Sequence, residues 1–351
     1  MATITTATTS RQRRLRRQRR ASRRWAQIQS SPTALAGLAL GVASLGSCWD
    51  QVMGAEGRIA GVMAVLAALP LLLVLLKFAS RPRLWWQELA DPLIGSVLPT
   101  IAMASMVIAK ALGTASPAAG ELLWMVAVVV HLLTLAGFVA RQLPRFAVAR
   151  LLPSWFVPPV GIIVAVVTAP PALAGQPLLA GLWQFGVCAY LLLLPLVLCR
   201  LALSEPLCRV TRPSLAILAA PASLSLVGYL AAHPSPDPVV VAVLATLALV
   251  MTAVVVVALL VQLRHPFVPS LAAFTFPLVI SATACFALAR QLAHWPLTFA
   301  WAARVEQLAW LELLLATAVV AYVALAFIRR LPAATAVAQQ PATLCAANWL
   351  R

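Results

Sequence analysis

Apolar runs of about 20 residues recur along this chain, and each is long enough to cross a bilayer as a helix. Ten can be drawn, at roughly 32–49, 59–77, 92–112, 120–140, 153–173, 178–199, 213–232, 238–262, 269–289 and 308–328. Hydrophobic residues make up 62% of the chain and charged residues only 10%. A water-soluble domain with that balance would lack the polar surface to cover its core. The expected class is therefore an all-α polytopic membrane protein. A basic N-terminus (1–31), a ten-helix domain (32–330) and a C-terminal tail (331–351) divide the chain.

A net charge of +17 suggests nucleic acid until it is mapped. Nine arginines crowd between Arg11 and Arg24. Such a segment attracts polyanions without specifying one. Its expected role is to fix topology and touch anionic lipid headgroups as a disordered cytosolic segment, with an arginine-rich transit peptide as the alternative. With the N-terminus inside, 22 of the 26 Lys and Arg residues fall on the cytosolic side. Only Arg58, Lys110, Arg290 and Arg304 fall outside. The positive-inside rule then places both termini in the cytosol, and the expected location is the plasma (bacterial inner) membrane.

Odd and even runs differ in character. Pro99, Pro158, Pro221 and Pro277 sit within the third, fifth, seventh and ninth runs, 59, 63 and 56 residues apart. That interval is about one helical hairpin, so the expectation is a hairpin repeated five times. Proline removes a helix donor and clashes with the preceding turn, which predicts a kink in each of these four helices; the first run lacks a central proline. Hydroxyls such as Thr275, Ser281 and Thr283 can satisfy the backbone groups this frees. Kinked backbone at membrane depth belongs in a protein interior or along a cavity. The pattern thus predicts an inner ring of kinked odd helices inside an oily outer ring. Gly37/Gly41 and Gly57/Gly61 are expected to allow close helix contact.

Chemistry-bearing groups are scarce. Asp50, Glu56, Asp237 and Glu306 fall near the outer surface, and Glu88, Asp91 and Glu205 near the inner one. Glu121 and Glu312 are placed near span ends. His131 is the one titratable group near mid-span, and a lone histidine there is expected to be a hydrogen-bonded packing residue. Six cysteines show no metal-ligand spacing, and the several inside apolar spans read as small packing residues. Hydrolase and metalloprotease signatures are missing, so no catalytic residues, cofactor or metal are expected. Trp85 and Trp86, beside Arg81 and Arg83, read as an interfacial anchor, with Trp295, Trp301 and Trp310 in the same role outside.

Four stretches carry a resemblance. DPLIGSVLPTIAMAS (91–105), PSWFVPPVGIIVAVVTA (153–169), RPSLAILAAPASLSLVGYLA (212–231) and PSLAAFTFPLVISATA (269–284) resemble the third, fifth, seventh and ninth helices of one family. It is the tellurite-resistance/dicarboxylate transporter family, which includes TehA and the plant slow-type anion channels. The resemblance covers about 32 to 330. It implies five helical hairpins around a central pore lined by the odd helices, in a homotrimer with one pore per subunit. A phenylalanine on the ninth helix occludes the family's pore, which places a pore gate at Phe276, in Phe274-Thr275-Phe276-Pro277. The family's odd-helix prolines fall on Pro99, Pro158, Pro221 and Pro277. Relatives often carry an acid before the sixth-helix proline, whereas this chain has Leu194 before Pro195.

The expected function is a channel or facilitative transporter that passes small inorganic or organic anions through a phenylalanine-gated pore. A proton-coupled malate-type dicarboxylate carrier, or a sulfite or tellurite exporter, is the alternative, with His131 as its obvious handle. A scaffold acting through the basic segment is the reading from a different class.

Overall fold

A computed structural model describes residues 29–338 of the protein; the arginine-rich segment lies outside the described residues. All regular structure within that range is helical. In chain order the α-helices are α1 (Leu35–Met53), α2 (Arg58–Ser80), α3 (Pro82–Leu89), α4 (Ile94–Val97), α5 (Thr100–Ala115), α6 (Pro117–Gln142) and α7 (Val157–Val160). They continue as α8 (Ile163–Val167), α9 (Pro177–Leu203), α10 (Ala219–Ala232), α11 (Pro238–Leu263), α12 (Thr275–His294) and α13 (Phe299–Ala338). Tight 3₁₀ segments at Pro153–Phe156, Arg212–Leu218 and Pro269–Phe274 lead into α7, α10 and α12.

Eight of these helical stretches are long and apolar enough to cross a membrane. Two of the ten ranges read from sequence fall outside that set. One is α1, whose 19 residues include three glycines, two serines and Asp50. The other is 153–173, where Pro158, Pro159 and Gly161 divide the backbone into short pieces. The last helix begins at Phe299, well before the boundary expected near 308.

Burial separates the stretches into two classes. In their most apolar windows, Ile94–Ala115, Arg212–Ala232 and Pro269–His294 are 72%, 78% and 83% buried, whereas the intervening long helices are 22–39% buried. The exposed residues of the latter are oily: Val62, Val65, Leu69, Leu133, Leu192 and Val257 all stand open. Apolar surface on that scale is stable facing lipid and not water. The protein is therefore a multi-pass membrane protein.

The buried stretches pack in succession. Helix α1 lies against α5, α5 against α8, α8 against α10, α10 against α12, and α12 returns to α1. Each also holds the long helix that follows it: α1 with α2, α5 with α6, α7 and α8 with α9, α10 with α11, α12 with α13.

Prolines do something different from the kink expected of them. Pro221 and Pro277 are the third residues of α10 and α12, Pro158 is the second residue of α7, and Pro99 is the residue before α5. In a first turn the missing N–H would have had no helical partner, so proline fits there without disrupting an established helix. The buried stretches thus change winding, from 3₁₀ or a broken turn to α, at their prolines. Pro70 and Pro195, by contrast, lie inside continuous α2 and α9.

The connections are capped by acids. Asp50 accepts from the amides of Gly57, Ile59 and Ala60 at 2.8, 3.0 and 3.3 Å, which satisfies most of the first turn of α2. Asp237 caps α11 through the amides of Val239 and Val240. At the other end Lys77 forms an ion pair with Glu88, and its Nζ donates to Thr33 Oγ1 at 2.9 Å. Thr33 in turn donates to Glu88 at 2.6 Å, joining α2, α3 and the entry to α1. Trp85 stacks edge-on against Phe78 with ring centroids 5.1 Å apart, while Trp86 is exposed. Trp310 departs from the expected surface role, since it packs against Trp49 and Phe286. Among the described residues, Cys48, Cys188, Cys199 and Cys285 are free cysteines.

Candidate anion pathway

Phe276 is the second residue of α12, buried at 7% exposure, directly after the turn where 3₁₀ winding gives way to α. Its predecessor anchors that turn. The Thr275 hydroxyl lies 2.7 Å from the carbonyl of Ala272 and 3.1 Å from that of Gly37 on α1, and it donates across this pair. The contact requires a bare backbone opposite. A Cβ on Gly41 would sit 2.5 Å from both Cβ and Oγ1 of Thr275. Gly41 is therefore the close approach that seats the Phe276 turn on α1. Gly61 makes no such contact, because a methyl added there meets open space, so the expected Gly57/Gly61 seam does not form at that residue.

Gly41→Val should consequently lower thermal stability by about 1–3 kcal/mol through overpacking. Gly61→Ala, with open space for its methyl inside α2, should not lower it and should raise it by up to about 1 kcal/mol. Unfolding temperatures of the detergent-solubilised variants would show the contrast.

The other prolines are held in comparable settings. Ser96 and Ser154 hydroxyls meet at 2.7 Å, tying the turn before Pro99 to the turn before Pro158. Trp155 donates its indole N–H to the carbonyl of Pro92 at 3.1 Å. The 3₁₀ segments contact one another in order: 153–156 touches 212–218, which touches 269–274, which touches α1. The 3₁₀ segments that lead into the Pro158, Pro221 and Pro277 helices are thus in successive contact.

Backbone carbonyls left open by broken winding find donors on the outer helices. His131 of α6 is fully buried, with Nε2 2.8 Å from the carbonyl of Pro158. A carbonyl can only accept, so Nε2 carries the hydrogen. Gly161 provides the room, since a Cβ there would lie 3.2 Å from His131 Cε1 and 2.7 Å from Met103 Sδ. Trp124 donates to the carbonyl of Ala165 at 3.2 Å, and Trp183 adds a donor to the carbonyl of Ser225 within continuous α10 at 2.9 Å. These contacts supply within the membrane the satisfaction that water would supply outside it. His131 acts here as a packing donor.

Most hydroxyls of the buried helices return to their own backbone, as Ser105 does to Ile101 and Ser223 to Ala219. Ser44 on α1, Ser214 in the 3₁₀ segment 212–218 and Ser225 on α10 differ, being buried without a protein partner.

Across residues 30–331 the chain matches the SLAC1 family, described as voltage-dependent anion channel. It belongs to that family. A comparison with curated proteins returned no match. SLAC1 membership agrees with the tellurite-resistance/dicarboxylate resemblance and supports transport of anions across a membrane as the activity of this protein.

One group was misplaced by the sequence reading. Glu312 is not near a span end. It is the fourteenth residue of α13, roughly 20 Å along that helix at 1.5 Å per residue. It accepts from the hydroxyl of Ser281 at 2.7 Å, and Ser281 stands twelve residues after Pro269 and thirteen before His294. The carboxyl therefore lies near the middle of the span. Its true depth was hidden because Trp301, Arg304 and Glu306 read as an interface, whereas α13 runs on through them.

Proposed function

We propose that this SLAC1-family chain is an anion channel or facilitative transporter whose pathway runs between the successive buried helices and is occluded at Phe276. The observation that carries the reading is the packing circuit α1–α5–α8–α10–α12–α1. Five stretches so arranged, each with its following helix outside, make a ten-helix bundle of five hairpins with a central axis. Residues 32–330 form that domain. Phe276 lies in the turn where α12 begins and Thr275 is pinned to α1, so its ring can block an axis by packing alone.

The lining suits weak anion binding. Conduction needs contacts favourable enough for entry and weak enough for exit. Ser44, Ser214 and Ser225 offer hydroxyl donors with no protein acceptor, and hydroxyls partly replace the hydration shell of a halide-sized or carboxylate anion without trapping it. We further propose a homotrimer in the plasma (bacterial inner) membrane with both termini cytosolic. The arginine-rich segment would lie against anionic headgroups there.

Anion efflux from liposomes containing the purified protein tests the function. Chloride or nitrate release that exceeds protein-free vesicles, with potassium retained, is the expected result. Equal release of cation and anion, or none of either, would remove the reading.

A further inference from the structure

The carboxyl of Glu312 sits in a hydrogen-bonded chain that spans three helices. Thr252 of α11 and Ser281 of α12 share a hydrogen bond of 2.7 Å, and Ser281 donates onward to Glu312 of α13 at 2.7 Å. Ser281 has one hydrogen and spends it on Glu312, so Thr252 is the donor to Ser281. The Cys285 thiol, one turn along α12, lies 3.6 Å from the same carboxyl oxygen. The arrangement reads Thr252 to Ser281 to Glu312, with every hydrogen pointing at the acid.

Among the described residues no cation forms an ion pair with this carboxyl. Helix α12, the segment 269–274 and α1 pack against α13. From α12 the titratable group that meets Glu312 is Cys285, while Arg290 and His294 lie further along toward the helix end. Pro269–Phe274 holds no ionisable residue. Helix α1 carries Cys48 and Asp50, and Asp50 is engaged with the amides that open α2. On α13 itself Arg304 stacks on Trp301, well before Glu312, and Glu306 lies between them in sequence. Helix α11, which holds Thr252, has no ionisable side chain. Among the described residues the ion pair present is Lys77–Glu88, far along the chain at the ends of α2 and α3.

An acid at mid-membrane without a cationic partner is stable in two forms only if both can be hydrogen-bonded. The hydroxyl chain provides this. When Glu312 takes up a proton its O–H can donate to Ser281, Ser281 can turn to Thr252, and Thr252 can turn to a carbonyl of its own helix, as threonines in helices do. All hydrogens reverse and no partner is lost.

We infer that Glu312 is a proton-binding site inside the membrane and that its occupancy changes the rate of anion passage. The inference rests on the proposed pathway at Phe276, because the coupling runs through α12. That helix presents Ser281 and Cys285 to the acid and begins at the Phe276 turn. The ionised carboxyl draws both donors and holds α12 against α13. The neutral acid keeps these partners through weaker bonds that lack charge assistance, which relaxes that hold, so passage rises as pH falls.

Two measurements test it. The first is modification of the full-length protein by dicyclohexylcarbodiimide, a lipid-soluble reagent that attacks protonated carboxyls in membranes, read by mass spectrometry. Labelling at Glu312 that declines as pH rises supports the site, and absence of labelling at every pH overturns it. The second is anion efflux against pH for the wild type and Glu312→Gln. The wild type is expected to gain about fivefold or more from alkaline to acid pH, in the range of ordinary site-to-site coupling. Glu312→Gln, which keeps size and hydrogen bonding but cannot ionise, should hold the acid value throughout. A flat wild-type profile, or an unchanged slope in the variant, would overturn the coupling. Phe276→Ala measured in parallel separates the two readings: its silence would fell the pathway, while the labelling profile still decides whether Glu312 binds a proton.

Discussion

Phe276→Ala should raise anion current through the purified protein by more than tenfold at fixed voltage. The ring is buried in the first turn of α12, and Thr275 holds that turn to α1 through the carbonyl of Gly37, so the side chain has little freedom to move aside unaided. A barrier of only about 1.4 kcal/mol for moving it aside would suppress passage tenfold. Truncation to alanine leaves the Thr275 anchor and Pro277 in place, so the opened pathway should retain the fold that shapes it. Phe276→Leu, still bulky at the same site, should give a smaller gain. Single-channel recordings of the three proteins in planar bilayers would rank them, and equal conductance in folded Phe276→Ala and wild type would exclude Phe276 as the occluding group.

The largest effect on stability is expected at the entry to α1, where Thr33 meets Lys77 and Glu88. Glu88→Ala leaves the Lys77 ammonium 5% exposed with no carboxylate, and takes from Thr33 its acceptor. Removing one member of a buried pair destabilises by about 3–5 kcal/mol, because the remaining charge loses its compensation. Lys77→Met with Glu88→Leu removes both charges and should recover most of the loss. Unfolding temperatures in detergent would show a deep drop for the single variant and near-recovery for the double. Two equal drops would mean that the residues matter through packing alone.

Much of the architecture is legible without coordinates because lipid leaves few choices. A run of twenty apolar residues that must satisfy its own backbone is a helix, and the difference between Val-Leu-Ala runs and Ser-Gly-Pro runs reports which of them are buried. The deep burial of Ile94–Ala115, Arg212–Ala232 and Pro269–His294 follows that difference. Where proline acts is less legible. Pro277 and Pro221 look mid-span when a span is a stretch of letters, but the first turns of those spans are wound as 3₁₀ helix, which no residue pattern announces. Short pieces such as 153–167 escape for the same reason.

The candidate site was read unevenly. Phe276 is named by the resemblance of its stretch to the family's ninth helix, and His131 is buried and hydrogen-bonded, as expected of a packing residue. Its partner, the carbonyl of Pro158, is a backbone atom exposed by a break in another helix and so leaves no trace in sequence spacing. Glu312 reads as a span-end residue when the tenth run is started near 308, but α13 begins at Phe299. Its partners Ser281 and Thr252 lie 31 and 60 residues away on separate helices, and only packing brings them to it. Gly41 and Gly61 looked alike as small residues on neighbouring helices, yet one meets Thr275 and the other meets nothing.

The most direct test of the account is the reversal potential of current through Phe276→Ala in a bilayer with unequal potassium chloride on its two sides. An anion pathway between the buried helices predicts reversal close to the chloride equilibrium potential. Reversal at the potassium potential, or no current from a folded protein, would contradict it.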